Sequence, residues 1–183
     1  FDVRKNVAGL LRAWAQARER LAREGAGDIR LVIAGRLPDR DTPFAPDPRR
    51  IATELGISDA VQYTGWVAEE DKPALYAGAL AFAFPSVYEG FGLPVLESLA
   101  CGTPAIVGGG SSLDEIVGPG GIIVSPTDSA ALAEALVTLV QQPARRAELA
   151  RRGLEHARTF SWEQAARQAW QAYRDALERN GRP

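Results

Sequence analysis

Apolar residues recur along this chain with two alternating periods. Val7, Leu10, Leu11, Trp14 and Leu21 return at helical spacing among arginines and glutamates, which predicts an amphipathic helix. Short apolar runs at residues 29–34, 61–64, 81–84, 104–107 and 122–124 predict strands; the third reads as buried and is closed by Pro85. Further helices are predicted over 49–55, over 69–77, where acidic residues fill the first turn, and over 93–101, with a helical turn over 113–117. Asp128 caps a helix over 130–141, and Pro143 opens another to about residue 157. Ser161 caps the last, which carries Trp162, Ala166, Ala169, Tyr173 and Leu177 on one face. Residues 37–48 hold four prolines and read as a loop. Strands separated by helices mean a parallel sheet covered on both faces, and right-handed crossovers make a doubly wound, Rossmann-like α/β domain the economical solution.

On that frame one segment stands out. Glu89-Gly-Phe-Gly-Leu-Pro-Val-Leu-Glu97 lies where the carboxyl end of strand 81–84 meets the amino end of helix 93–101, the place where open α/β sheets bind ligands. A helix opening at Leu93 or Pro94 offers free N–H groups and partial positive charge, which suits a diphosphate. Gly90 and Gly92 let backbone approach a ligand. Neither glutamate suits phosphate, since like charges repel; hydroxyl pairs on a sugar or ribose are better partners. Lys5, one of only two lysines in the chain, follows Arg4 at the entrance to the first helix, where a cation opposes the helix dipole unless an anion is near. That leaves two readings open, a phosphate-binding role and, the more frequent one for these residues alone, a solvated terminal basic pair. Gly35 lets backbone near a nucleotide after strand 29–34, whereas Arg36 reads equally as a surface cation. Trp66 is open between core and base-stacking, and Val67 is readable as a strand-end hydrophobe.

Composition narrows the functions. A net charge of −2 argues against nucleic acid as a partner. The single cysteine, Cys101, excludes an intramolecular disulfide; it reads as an inert residue of a buried helix face and fits a reducing, cytoplasmic setting. There is no G-x-G-x-x-G after a first strand and no P-loop, so no dinucleotide cofactor is expected, and no metal ion is expected. His156, the only histidine, lies in a C-terminal helix far from these loops and reads as a surface or satisfied residue.

The run Phe84-Pro-Ser-Val-Tyr-Glu-Gly-Phe-Gly-Leu-Pro-Val-Leu-Glu-Ser-Leu-Ala-Cys-Gly-Thr-Pro-Ala-Ile-Val107 resembles the donor-site signature of retaining GT-B glycosyltransferases of the group 1 (family 4) class. Phe1-Asp-Val-Arg-Lys-Asn-Val7 resembles their basic opening motif, and Leu31-Val-Ile-Ala-Gly35 and Val61-Gln-Tyr-Thr-Gly-Trp-Val67 their next strands. Ser111-Ser-Leu-Asp-Glu-Ile-Val117 and Gly121-Ile-Ile-Val-Ser-Pro-Thr-Asp128 resemble later segments, so the likeness runs through nearly the whole chain in order.

The resemblance implies the C-terminal, donor-binding half of a GT-B fold, with the N-terminal domain and a first strand missing and the helix over 161–180 packing toward that domain. It implies metal-independent hexose transfer from a nucleotide sugar with retention, to an acceptor glycan, lipid or small molecule. No cofactor is implied beyond the donor, GDP-mannose or a UDP-sugar; the 111–117 stretch tilts toward mannose. Lys5 and Glu89 become the catalytic pair, on the diphosphate and the sugar hydroxyls. Gly35, Val67, Gly90, Phe91, Gly92, Leu93 and Glu97 become the donor-binding set, with Glu97 on the ribose. An arginine usual in the family just upstream of the lysine has no clear counterpart, and Arg4 is not assigned to it. The alternatives are a non-catalytic nucleotide-binding or partner-docking module and a relative such as a nucleotide-sugar epimerase. Peripheral association of the intact protein with a membrane stays open.

Overall fold

The computed structural model describes residues 2–26, 28–179 and 181. Phe1 of the basic opening motif and Asn180 of the last-helix span therefore lie outside the described residues. Eight helices, α1 (Val7–Arg23), α2 (Pro48–Glu54), α3 (Lys72–Ala77), α4 (Leu93–Ala100), α5 (Leu113–Val117), α6 (Ser129–Gln141), α7 (Pro143–Ala157) and α8 (Trp162–Arg179), alternate with five strands in the described residues. The strands are β1 (Leu31–Ala34), β2 (Val61–Gly65), β3 (Phe82–Phe84), β4 (Ala105–Gly108) and β5 (Gly121–Val124). All neighbours pair in parallel, as β1-β2 and as β3-β4-β5.

β4 shows why the layers form. All four of its residues are buried. Successive side chains of a strand face opposite ways. Ile106 accordingly joins a core with α1, α2 and α6, while Ala105 and Val107 join a second with α4 and α5. β3 divides likewise, Ala83 to the first core and Phe82 and Phe84 to the second. Helices thus cover both faces, the Rossmann-like arrangement that alternating elements predict. The first core also includes Ile33 of β1 and Val61 of β2, so both ladders share it. Leu11, Leu99, Ile106 and Leu113 are fully buried; each contributes about 1.5–3 kcal/mol relative to exposure.

Local chemistry sets the ends. The Asp128 carboxylate accepts from the N–H groups of Ala130 and Ala131, and the Ser161 hydroxyl from Gln164, so both predicted caps form. Several boundaries shift, and β1 starts at Leu31 rather than residue 29. α3 starts at Lys72 rather than residue 69, because Pro73 has no N–H to donate and fits only the first turn. The proline-rich loop yields its last residue, Pro48, to the first turn of α2, and Asp47 caps that helix. β3 is half-buried rather than buried, being an edge strand paired only to β4.

The segment before α1 fastens the sheet ends together. Val3 N–H donates to Phe44 C=O beyond β1, and Val87 N–H beyond β3 donates to Arg4 C=O. Asn6 holds a left-handed backbone (φ 52°), and its amide donates to Pro85 and Pro126 carbonyls at 3.1 and 2.6 Å, just past β3 and β5. Asn6→Ala should leave both carbonyls without that donor and lose a residue that tolerates this backbone, costing about 2 kcal/mol in urea denaturation. Among the described residues no helix is long and apolar enough to cross a membrane.

Candidate functional site

β3 delivers the chain to Pro85 and Ser86, both buried, and α4 carries it away again from Leu93. Between them the backbone must reverse tightly. Gly92 takes φ 106° and ψ 44°, and a Cβ there would sit 2.4 Å from Leu113 Cδ2, so this position admits glycine alone. Gly90 is different: a Cβ there would meet nothing within 4 Å, leaving open space beside the loop. No side chain caps the amino end of α4, and its N2 residue is Pro94. The partial positive charge of that helix end therefore faces the loop without a protein anion capping it. The Ser112 hydroxyl lies 2.9 Å from Glu89 C=O and 3.0 Å from Phe91 C=O, with one proton to share between them, and ties the loop to α5.

Charge is arranged around this turn. Lys5 Nζ lies 2.6 Å from Glu89 Oε1 and 5.1 Å from the centre of the Phe84 ring. The two residues expected to carry catalysis are thus one half-buried ion pair, not two groups acting apart. Lys5 itself ends a 3-10 turn (Val3–Lys5) ahead of α1 rather than lying in that helix. Glu97, one turn into α4, accepts a hydrogen bond from Tyr76 Oη on Oε2 at 3.0 Å. Burial first, and that carboxylate second, push the Tyr76 phenol far above its ordinary range, so it stays an O–H donor.

Gly35 and Val67 lie at or just beyond the carboxyl ends of β1 and β2, where Gly35 N–H donates to Gly65 C=O. They occupy the carboxyl edge of the other ladder and are not part of the Lys5–Glu89–α4 cluster. Trp66 is 74% exposed, which removes its core reading. Arg36 is a surface cation 4.0 Å from Asp39, and Arg4 is held by Asp2. Cys101 follows α4 half-buried rather than on a buried helix face; burial and Glu97 push its thiol up, which keeps it unreactive. A cleft of about 460 Å³ opens elsewhere, between α1, α2 and the proline-rich loop. Arg50 in its wall is already paired with Asp41 and Glu54, so that cleft presents little unbalanced charge.

The profile of glycosyl transferases group 1 matches residues 1–156. The chain belongs to the group 1 glycosyltransferases. It is similar to O-antigen chain mannosyltransferase B of Escherichia coli, 36% identical over 175 residues, covering 95% of this chain and 44% of that protein. It is similar also to the D-inositol 3-phosphate glycosyltransferase of Salinispora tropica, 35% identical over 170 residues, with 92% and 35% covered. Among solved structures, sucrose-phosphate synthase of Thermosynechococcus elongatus superposes with a TM-score of 0.81 at 32% identity, over 97% of this chain and 44% of that one. The C-terminal domain of a group 1 family protein from Francisella tularensis shares the fold, with a TM-score of 0.73 at 23% identity, over 87% of this chain and 80% of that domain. The chain spans less than half the length of the curated relatives it matches. Its architecture is that of the GT-B glycosyltransferases.

Several residues that shape this candidate site were not singled out from the sequence. Ser112 and Asn6 lie within quoted motifs, yet nothing in the motif tells which carbonyls they hold. Tyr76 sits on the short α3 with no marked neighbour. Phe160 stacks edge-on against Phe91 (6.3 Å) and against His156 (5.1 Å), whose Nε2 lies 3.0 Å from Glu115 C=O. His156 is thus a satisfied histidine, as read, and also a support for the loop. Ser86 is fully buried with no hydrogen-bond partner for its hydroxyl among the described residues.

Proposed function

We propose that this chain is the donor-binding, C-terminal half of a glycosyltransferase that moves a hexose from a nucleoside diphosphate sugar with retention and without a metal ion. The observation that carries the reading is the Lys5–Glu89 pair, set on the loop that leads to the uncapped amino end of α4 with Glu97 one turn further on. The lysine and glutamate neutralise each other. A diphosphate entering over α4 supplies a second anion for Lys5, and Glu89 is released to accept from sugar hydroxyls. The N–H groups of Phe91, Gly92 and Leu93 hold the phosphates and the sugar. Glu97 takes the ribose hydroxyls, and the backbone of Gly35 and Val67 meets the base. As the glycosidic bond breaks, negative charge grows on the leaving diphosphate, and a fixed cation with preorganised N–H groups stabilises that state more than the ground state.

GDP-mannose is the donor we favour, supported by the 111–117 stretch and by the likeness to O-antigen chain mannosyltransferase B. The acceptor, a glycan, lipid or small molecule, is held by the rest of the protein. α8 supports that division: it buries no residue, and Trp162, Trp170, Tyr173 and Leu177 are exposed along one face. We place that face against the acceptor-binding domain. Calorimetric titration of the chain with UDP, GDP and their sugars is expected to show weak binding and no transfer. Absence of heat with every nucleotide at adequate concentration would overturn the donor site, and turnover by the chain alone would overturn its assignment as half an enzyme.

A further inference from the structure

Glu97 has a long, half-buried side chain, and among the described residues no hydrogen bond from α4 itself holds its carboxylate. Left alone, such a side chain spreads over several rotamers and pays to be ordered when a ligand arrives. One residue does hold it. Tyr76 Oη donates to Oε2 at 3.0 Å from the last turn of α3. That phenol is fixed from two other directions. Its ring stands edge-on against Phe82, 5.2 Å between centres at 89°, and Phe82 stacks on Phe84, 5.6 Å away. Its carbonyl accepts from Thr103 Oγ1 at 2.7 Å, and Thr103 is itself almost fully buried after α4. The half-buried tyrosine is therefore packed on Phe82, which itself packs against the second core, and its hydroxyl reaches the carboxylate.

We infer that Tyr76 is a positioning residue for Glu97 and, through it, a determinant of preference for ribonucleotide over deoxyribonucleotide donors. The inference rests on the reading of Glu97 as the acceptor of ribose hydroxyls. A phenol has one proton, so it engages one carboxylate oxygen and leaves the acceptor capacity of Oε1, and a lone pair of Oε2, for a vicinal diol. The same stacked rings run on from Phe84 to Lys5, 5.1 Å above it, so one aromatic row sets both ends of the donor site.

The test uses Tyr76→Phe, which keeps the ring against Phe82 and removes only the donor. Wild type and variant are titrated with GDP and UDP and with their 2′,3′-dideoxy forms, and melting curves confirm that both are folded. Wild type is expected to prefer the ribose form; Tyr76→Phe should weaken ribose binding about 3–10-fold and leave dideoxy binding within about twofold. In a Glu97→Ala background the tyrosine change should then have no further effect. Equal loss for both nucleotide forms, or no loss for either, overturns the positioning role while the donor site stands. A wild-type protein that does not distinguish ribose from dideoxyribose overturns the Glu97 assignment and the inference with it, and one that binds no nucleotide overturns the proposed function itself.

Discussion

Gly92→Ala is expected to destabilise the protein by about 3–5 kcal/mol and to abolish measurable nucleotide binding. Two independent costs add at this residue. The backbone angle of 106° is one that an alanine adopts only under strain, whatever space surrounds it. The new Cβ also falls 2.4 Å from Leu113 Cδ2, and Leu113 is fully buried, so its side chain has little room to swing away. Urea denaturation separates the two. Gly92→Ala paired with Leu113→Ala should lose the clash and keep the backbone strain, so its cost should fall below the sum of the single changes. A Gly92→Ala protein as stable as wild type would show that the turn into α4 is not held in this conformation.

Lys5→Ala is expected to lower affinity for GDP and UDP about 10–100-fold, since a charge-assisted contact to phosphate contributes about 1.5–3 kcal/mol. It also leaves Glu89, with 16% of its side chain exposed, without its partner at 2.6 Å, which should add a repulsion against the diphosphate. Glu89→Gln makes the opposite prediction for the bare nucleotide. It frees the lysine and should leave GDP binding unchanged or tighter, while weakening the nucleotide sugar relative to GDP. Titrations of both variants with GDP and with GDP-mannose check this. Unaltered GDP affinity in Lys5→Ala would remove the lysine from the site.

Some of this molecule is legible from neighbouring residues. α1 follows from the spacing of Val7, Leu10, Leu11 and Trp14, because a helix repeats near that period and these residues line its buried face. Residues 104–107 predict a strand, and β4 is that strand, with its burial on both faces shown only by the packing of helices on either side. Asp128 and Ser161 reveal helix starts because a cap acts within three residues. Where cues compete along the chain, the reading slips: Glu69, Glu70 and Asp71 look like a first helical turn, yet Pro73 places the start of α3 at Lys72. Trp66 stays open between core and base-stacking in the sequence, since one bulky residue at a strand end carries no periodicity.

The segment from Glu89 to Glu97 was readable as a site because its glycines, its helix start and its carboxylates are consecutive, and turn chemistry and helix polarity act locally. Sequence alone determined the α/β alternation, the strand-to-helix junction and the residue types gathered there. Only the tertiary structure decided which groups meet. Lys5 and Glu89 lie 84 residues apart, Tyr76 and Glu97 21 apart, and Ser112 23 residues beyond the carbonyl of Glu89. Parallel strands return to the same edge only through long crossovers, so these contacts depend on how α1, α3 and α5 pack around the sheet. No periodicity within any one element encodes that packing.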